Sequence, residues 1–269
     1  MTRKSTGAGR TALITGASSG IGAALAGRFA LGGYNLVLVA RSERKLQQLA
    51  QVLSVSHGIK ASVARADLSQ PDAARKLAAA MNRAKRPIDV LVNNAGVLDY
   101  GNFIDVSAER HRHLIALNAA GLTAMLAYFV PPMVARGDGR VLNVASIAAF
   151  QPVPSLATYA ATKAFVLSLT ESLSEELKGT GVTVTALCPG ITATHMLSRA
   201  RQTSRGLDGL PDFVVGSAEA VADEAYEACV RGEVIRVPGA LNLAAILASR
   251  AIPKWLWRRV SGAIVRGRR

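Results

Sequence analysis

Apolar residues are grouped along this chain into seven short runs, separated by longer segments in which apolar and polar positions recur at helical spacing. The runs lack the strict alternation of half-exposed strands, which is typical of parallel strands buried on both faces. They span residues 11–17, 35–40, 61–66, 89–95, 140–146, 182–188 and 233–239. Strands that alternate with helices predict an α/β fold: a doubly wound, mostly parallel, seven-stranded sheet with helices on both faces.

Serines and glycines mark the ends of the intervening helices. Predicted helices begin near Ile21, Ser42, Ser69, Ser107 and Ser217, and helices end near Gly32, Gly58, Gly179 and Gly232. The helix that opens at Ser107 is expected to be long. No linker-like break and no repeat interrupts the pattern. We therefore expect a single domain over residues 1–249, followed by a basic tail over residues 250–269.

Composition favours an intracellular protein with a large core. Half of the 269 residues are apolar, and the chain has two cysteines, Cys188 and Cys229, outside any metal-binding or redox spacing. Such free thiols are typical of a reducing cytoplasm. The apolar stretches are shorter than the roughly 18 residues of a membrane-spanning helix. The N-terminus lacks the apolar core of a signal peptide.

The net charge of +14 comes mostly from the two ends of the chain. Residues 1–10 carry three basic groups and no acid, and residues 250–269 carry seven and no acid. Aromatic residues make up 5% of the chain and are not interleaved with a basic stripe. Nucleic-acid binding by the body of the domain is therefore not expected. An arginine-rich, alanine-rich proteome would also produce a basic chain without any such partner.

A glycine-rich turn, TGASSGIG, follows the first predicted strand at residues 15–22. Glycines in such a turn allow a tight bend and a close approach of the backbone to a pyrophosphate. The helix that follows would present free N–H groups and the positive end of its dipole. A loop chosen for its geometry alone would look similar, but this position in a parallel sheet favours dinucleotide binding.

The spacing TGxxxGxG resembles that of the short-chain dehydrogenase/reductase family, and the resemblance extends from about Thr11 to Pro238. The other motifs of that family occur in order: Asp67-Leu68, the sequence NNAG at residues 93–96, Asn118, Ser146, Tyr159 with Lys163, and Pro189-Gly190. The resemblance implies a Rossmann domain and hydride transfer between a nicotinamide and a carbonyl or alcohol carbon. Four residues would then be catalytic: Asn118, Ser146, Tyr159 and Lys163.

Tyr159 and Lys163 stand four residues apart, so they share one helix face. Alone, this spacing arises by chance in many helices. The unperturbed pKa of tyrosine is about 10, and a cation one helical turn away is expected to lower it. By the resemblance, Lys163 also binds the nicotinamide ribose, Ser146 holds the substrate oxygen, and Asn118 holds a water that links Lys163 to solvent.

The end of the second strand indicates which dinucleotide binds. An acidic residue there would accept hydrogen bonds from the adenine-ribose hydroxyls and repel a 2′-phosphate. This chain has Arg41, followed by Ser42, Arg44 and Lys45. A guanidinium can grip the phosphate at two points, although a solvated helix start would also carry basic residues. NADP(H) is therefore favoured over NADH.

The resemblance implies further contacts with the dinucleotide. Asp67 would accept from the adenine amino group with Leu68 against the base, and Asn94, Ala95 and Gly96 would pack along the adenosine ribose. Pro189, Gly190, Ile191 and Thr194 would face the nicotinamide. The predicted cofactor-binding set is completed by Tyr159, Lys163 and the residues of the glycine-rich turn, which are Gly16, Ser18, Ser19, Gly20, Ile21 and Gly22. No metal site is expected, and His111 and His113 are interpreted as surface residues.

These motifs resemble the branch of the family that includes hydroxysteroid dehydrogenases and 3-oxoacyl reductases, whose substrates are mostly lipophilic. An apolar pocket could come from Ala148, Phe150, Val153, Pro154, Leu156, Met196 and Phe213, though core packing explains them equally well. A polar segment, 192–216, is predicted to be a mobile lid; its Arg199, Arg201 and Arg205 either meet an anionic substrate group or are solvated. The rival function is a catalytically silent protein that senses NADP(H) or acts as a scaffold.

The C-terminal tail has two interpretations. Residues 253–269 can form a basic amphipathic helix with Trp255 and Trp257, which suits an anionic membrane surface. The helix can equally dock on its own domain or on a partner subunit, since members of the family are commonly homo-oligomers. A cytoplasmic protein, peripheral to the membrane under the first interpretation, is expected.

Overall fold

The computed structural model describes residues 7–193, residues 215–251 and Arg259. Seven strands lie in one sheet: β1 (Thr11–Thr15), β2 (Asn35–Ala40), β3 (Ala61–Arg65), β4 (Val90–Asn93), β5 (Gly139–Val144), β6 (Val182–Leu187) and β7 (Ile235–Arg236). Every pair of neighbours is parallel, in the order β3-β2-β1-β4-β5-β6-β7. This is the predicted doubly wound sheet, with each strand inside or overlapping one of the seven apolar runs.

Eight α-helices are assigned in the described residues. They are α1 (Gly20–Leu31), α2 (Glu43–His57), α3 (Ala73–Arg83), α4 (Ala108–Ile115), α5 (Leu122–Arg136), α6 (Ala157–Glu176), α7 (Ala218–Arg231) and α8 (Ala240–Ala251). Two 3₁₀ segments, Phe103–Asp105 and Ile147–Phe150, and a π-helical segment, Ala116–Gly121, complete the fold. No helix was predicted where α8 lies, and α8 extends the fold beyond β7.

Two apolar clusters, one on each face of the sheet, form the core. On one face α1, α2 and α7 pack around Phe29, Tyr34 and Tyr226, whose rings meet edge to face at 5.1–6.4 Å between centroids. On the other face α3, α5 and α6 pack around side chains such as Met125, Met133 and Val166. Because both faces are covered, the strands need continuous apolar runs, which is the pattern that the sequence carries.

Two helix predictions differ from the structure. Ser69 does not start α3, which begins at Ala73; its hydroxyl and N–H instead donate to Oδ1 of Asp67, at 2.8 and 3.1 Å. Ser107 does cap α4 as predicted, accepting from the N–H of Arg110. The long helix that it opens, however, is interrupted by the π-helical segment before it continues as α5.

The helical run 108–136 is long and apolar enough to cross a membrane, by length and composition only. Its 18-residue window has a mean hydropathy of 1.7, and 56% of that window is buried. A core helix passes the same test, and α5 packs on β4, β5 and β6.

Candidate active site

The predicted site residues follow the carboxyl ends of neighbouring strands, so the parallel sheet brings them to one edge. Gly16 follows β1, Arg41 follows β2, Asn94 follows β4, Ser146 lies just beyond β5, and Pro189 just beyond β6. The strand order reverses its direction around β1, which pairs with β2 on one side and with β4 on the other. In open α/β sheets the crevice at such a switch point is where ligands bind.

The glycine-rich turn has no room for side chains at two of its glycines. Gly16 has a φ of +67°, and a Cβ there would lie 2.7 Å from Nδ2 of Asn94. A Cβ at Gly22 would collide with the carbonyl oxygen of Gly16 and with the same amide. Ser18, Ser19 and Ile21 are half-buried along the turn, and Ser19 is the N-cap of α1 without a side-chain capping bond. A bare turn directly before a helix N-terminus fits the pyrophosphate of a dinucleotide.

Thr15, the first residue of the TGxxxGxG motif, fixes this turn, a role that was not predicted from the sequence. Its Oγ1 donates to the carbonyl of Val92 at 3.1 Å and accepts from the N–H groups of Asn94 and Ala95 at 2.9 and 3.0 Å. Nδ2 of Asn94 donates back to the carbonyl of Thr15 at 2.9 Å. The signal that could have found it is a threonine at the buried end of an apolar strand, where an unpaired hydroxyl would be costly.

Ser146, Tyr159 and Lys163 are buried together beside this edge. Tyr159 lies in the first turn of α6, and its phenol shares a hydrogen bond with the Ser146 hydroxyl. Nζ of Lys163 lies 5.7 Å from the centroid of the Tyr159 ring and donates to the carbonyl of Val144 at 2.7 Å. Oγ of Ser146 also accepts from the N–H of Ala148 at 3.1 Å, which starts the 3₁₀ segment. The structure therefore unites these three predicted residues.

Burial dominates the titration of this group. It raises the pKa of Tyr159, which the hydrogen bond with Ser146 only partly offsets. It also lowers the pKa of Lys163 to about 8, while Cys188 acts weakly in the opposite direction. The pKa of Tyr159 is therefore raised, not lowered as expected, because desolvation of the phenolate outweighs the hydrogen bond with Ser146.

Asn118 lies within the π-helical segment and is almost fully buried. Its side-chain amide pairs with the backbone of Val97: Nδ2 donates to the carbonyl and Oδ1 accepts from the N–H, both at 2.9 Å. A Cβ added at Gly96 would lie 3.2 Å from Oδ1 of Asn118 and 3.6 Å from Nζ of Lys163. Oδ1 of Asn118 and Nζ of Lys163 therefore both lie close to Gly96. π-Helical turns are frequent at functional sites.

Arg41 and Asp67 lie close together at the other end of the crevice. Burial alone would raise the pKa of Asp67, but two hydrogen bonds from Ser69 and the nearby Arg41 and His113 lower it. Arg41 is exposed, and Ser42 is the N-cap of α2 without a side-chain capping bond. The side chain of Leu68 is buried in the core, and its carbonyl lies against Gly121.

Pro189 and Gly190 form the third side of the crevice. The carbonyl of Pro189 accepts from the N–H of Ile147 at 3.0 Å, next to Ser146. Ile191 and Thr192 continue to a short parallel bridge between Thr192 and Gly216, with the N–H of Ala193 donating to Gly216 at 3.0 Å. The two ends of the predicted lid therefore meet. Thr194, the residues between those ends, and the tail 253–269 apart from Arg259 lie outside the described residues.

Two further residues, to which the sequence assigned no functional role, border this site. His111 is half-buried rather than at the surface: its ring stacks on Phe103 at 4.4 Å, and Nδ1 lies 2.9 Å from the hydroxyl of Thr158. Asn242 of α8 packs against Gly190. Neither carries a motif, so only the folded chain reveals them. The described residues contain no cluster of histidine, cysteine or acidic side chains that could hold a metal ion.

The chain belongs to the short-chain dehydrogenase/reductase family. The family model described as short chain dehydrogenase matches residues 10–205. Among curated relatives, the oxidoreductase UcpA of Escherichia coli strain K12 is 39% identical over 201 residues, covering 73% of this chain and 74% of UcpA. The family resemblance read from the motifs is thereby confirmed, and with it an oxidoreductase fold that binds a nicotinamide dinucleotide.

Solved structures agree on the fold and differ in the dinucleotide. A short-chain dehydrogenase from Sphingobium yanoikuyae in complex with NADPH is 36% identical, with a TM-score of 0.79 over 90% of this chain and 93% of that one. A family member from Burkholderia phymatum in complex with NAD is 28% identical, with a TM-score of 0.80 over 91% and 93% of the two chains. Which dinucleotide this chain prefers must therefore be argued from its own residues.

Proposed function

We propose that this protein is an NADPH-dependent oxidoreductase that transfers a hydride between the nicotinamide and a carbonyl or secondary alcohol. The observation that carries the proposal is the buried group of Ser146, Tyr159 and Lys163 beside a bare glycine turn at the same sheet edge. The dinucleotide, when bound, supplies or accepts the hydride. The protein's residues must hold the substrate oxygen and move one proton.

Tyr159 is suited to the proton transfer. Burial keeps its phenol protonated at neutral pH, so it can donate to the oxygen that gains charge when a carbonyl is reduced. The Ser146 hydroxyl, already hydrogen-bonded to the phenol, would hold the same substrate oxygen in place. Lys163 would bind the nicotinamide ribose, and as a cation it would favour the phenolate that remains. Asn118, fixed on Val97, would hold a water near Lys163.

The preference for NADPH rests on Arg41. Its guanidinium is exposed at the end of β2 and close to Asp67, where the adenosine half would lie. No acidic residue stands at the end of β2 to accept from the ribose hydroxyls. A fixed positive charge there attracts a 2′-phosphate. Ser42 would add a hydroxyl, and the remaining predicted cofactor contacts, Asp67, Leu68, Asn94, Ala95, Gly96, Ile191 and Thr194, would follow the family's arrangement.

A lipophilic substrate, such as a 3-oxoacyl compound, a steroid-like ketone or another ketone, suits the rim of the site. Half-buried apolar residues follow Ser146 in the chain, among them Phe150, Val153 and Leu156. Apolar walls with few polar groups are the usual lining of small-molecule sites. Met196 and Phe213, the other predicted wall residues, lie outside the described residues.

A cytoplasmic homo-oligomer is the proposed assembly. Exposed apolar side chains on the helices of one face, Ile115, Tyr128 and Phe165, support a protein partner because apolar surface of this kind is commonly covered in an oligomer. The family's frequent oligomerisation supports the same view.

The test is a screen of ketones, 3-oxoacyl thioesters and sterols for NADPH oxidation, with Tyr159→Phe as the diagnostic variant. Turnover should fall roughly 100-fold or more, the usual scale for a positioned acid, while NADPH affinity changes little. Tyr128→Phe, which removes one hydroxyl from α5 and keeps the exposed apolar ring, serves as the matched control and should match the parent. Turnover of Tyr159→Phe within about threefold of the parent would favour the silent, NADP(H)-sensing or scaffolding alternative.

A further inference from the structure

Asn242 lies on α8, a helix that carries none of the active-site motifs, and its side chain packs against the Pro189–Gly190 turn. A Cβ added at Gly190 would lie 2.5 Å from Nδ2 and 2.6 Å from Oδ1 of Asn242. Real Cβ atoms do not approach heavy atoms this closely. The carboxamide of Asn242 therefore occupies the space that a side chain at position 190 would need.

The position of Asn242 is fixed from behind. Its Nδ2 donates to the carbonyl of Pro238 at 2.8 Å, across the first turn of α8. Gly239, with a φ of +83°, carries the chain into the helix, and its N–H donates to Oε1 of Glu224 at 3.2 Å. The other carboxylate oxygen of Glu224 accepts from Arg236 at 2.8 and 3.0 Å. The start of α8 is thus tied to α7 and β7, both parts of the rigid sheet framework.

The turn that Asn242 supports is tied to the catalytic group on its other side. The carbonyl of Pro189 accepts from the N–H of Ile147, the neighbour of Ser146. The carbonyl of Gly190 accepts from the hydroxyl of Thr192 at 3.1 Å. In addition, α8 contacts the 3₁₀ segment Ile147–Phe150, with Ile246 buried one turn after Asn242. A shift of Gly190 would therefore move the surface that binds the nicotinamide relative to Ser146.

We propose that Asn242 is a positioning residue for the nicotinamide half of the dinucleotide. Its carboxamide keeps the Pro189–Gly190 turn in the position, relative to Ser146 and Lys163, in which the nicotinamide can bind. The proposal rests on the proposed function, because it assumes that the nicotinamide lies at this turn. It predicts that Asn242 matters for the nicotinamide half and not for the adenosine half, which lies at the far end of the crevice near Arg41.

The experiment compares binding of NADPH, followed by its fluorescence, with binding of adenosine 2′,5′-bisphosphate, which lacks the nicotinamide half. For Asn242→Ala we expect NADPH affinity to fall about 10-fold, equivalent to about 1.4 kcal/mol, with the bisphosphate affinity within about twofold of the parent. Leu241→Ala, an exposed neighbour on the same helix, is the matched control and should bind both as the parent does. Thermal unfolding without ligand checks that each variant is folded.

A double variant distinguishes a direct contact between Asn242 and Gly190 from a general loss of NADPH affinity. Gly190→Ala should lose NADPH affinity severely, because its methyl group collides with Asn242, and Gly190→Ala with Asn242→Ala should recover part of that loss. Equal weakening of both ligands by Asn242→Ala, no weakening at all, or a double variant worse than the two single losses combined would overturn the role of Asn242. If the parent itself binds neither NADPH nor NADH, the proposed function falls and this proposal falls with it.

Discussion

At the scale of single residues, Lys163 destabilises the folded protein more than any other group in the site. Its ammonium is removed from water and has no acidic partner among the described residues. Within the described part of the chain, its ammonium donates one hydrogen bond, to the carbonyl of Val144. Burial lowers its pKa from 10.5 to about 8, a depression that costs on the order of 3 kcal/mol when the group is charged. Such a cost is typical of functional sites rather than of structural ones.

This cost predicts a pH-dependent gain in stability for Lys163→Met. The folded pKa lies below the unfolded one, so the parent's penalty is fully present below pH 8 and is relieved as the pH rises from about 8 to 10.5. Without ligand, the variant should therefore unfold at a higher temperature than the parent at pH 7, and this advantage should shrink towards pH 10. Lys178→Met, an exposed lysine, is the control. An advantage that does not change with pH would contradict the lowered pKa.

The exposed guanidinium of Arg41 predicts a switch in dinucleotide preference. Arg41→Asp should lower NADPH affinity by one to two decades, since a charge-assisted hydrogen bond contributes about 1.5–3 kcal/mol. The new carboxylate would also accept from the ribose hydroxyls of NADH. Steady-state kinetics with both dinucleotides measures the change.

The control for this switch is Arg231→Asp, at the end of α7 and towards the opposite edge of the sheet, where the guanidinium pairs with Glu227 and Glu233. A parent that already prefers NADH would show that the role assigned to Arg41 is wrong.

At the scale of elements, the contact between the end of β1 and the end of β4 depends on one hydroxyl. Thr15→Val keeps the shape of the side chain but leaves the N–H groups of Asn94 and Ala95 without their acceptor. Each unsatisfied buried group costs about 1–3 kcal/mol, so the free energy of unfolding should fall by roughly 2–6 kcal/mol, with weaker dinucleotide binding. Denaturant titration measures the first and fluorescence the second.

Thr11→Val is the matched control, at the other end of the same strand. The hydroxyl of Thr11 makes no hydrogen bond within the described part of the chain, whereas its N–H donates to Oδ2 of Asp89 and its carbonyl accepts from the N–H of Asp89. Its unfolding free energy should stay within about 0.5 kcal/mol of the parent. Equal losses in the two variants would mean that the effect belongs to the strand and not to the hydroxyl.

The sequence predicted the strands and most helix ends because these depend on local patterns. Buried parallel strands need apolar runs, and helix ends need serines and glycines. The π-helical segment escaped prediction because its amide-to-backbone pairing joins Asn118 to Val97, 21 positions away. The site motifs were readable in order along the chain. The motifs did not predict how deeply Tyr159 is buried, and this burial reversed the expected shift in its pKa. They also did not predict that Asn242 packs against Gly190.

At the scale of the whole molecule, the C-terminal tail, residues 253–269, has two possible partners, which are another subunit and an anionic membrane surface. We expect that removal of residues 253–269 dissociates a homo-oligomer, seen as a lower mass in solution, and that the full chain does not bind anionic vesicles at low salt. Low salt matters because it strengthens attraction between exposed basic residues and anionic lipid. Loss of vesicle binding on truncation, with unchanged mass, would instead establish the membrane contact.

The strand order also determines how this chain can fold while it is being synthesised. β1 pairs with β2 through Thr11 and Asn35, but its other edge waits for β4, which pairs through Ala12 and Val90. About 50 residues separate the end of β2 from β4, and ribosomes add roughly 5–20 residues per second. For several seconds, the nascent chain therefore exposes the unpaired edge of what becomes a central strand. A chaperone that shields this edge would act before the dinucleotide crevice exists, since that crevice is formed only when β4 arrives beside β1.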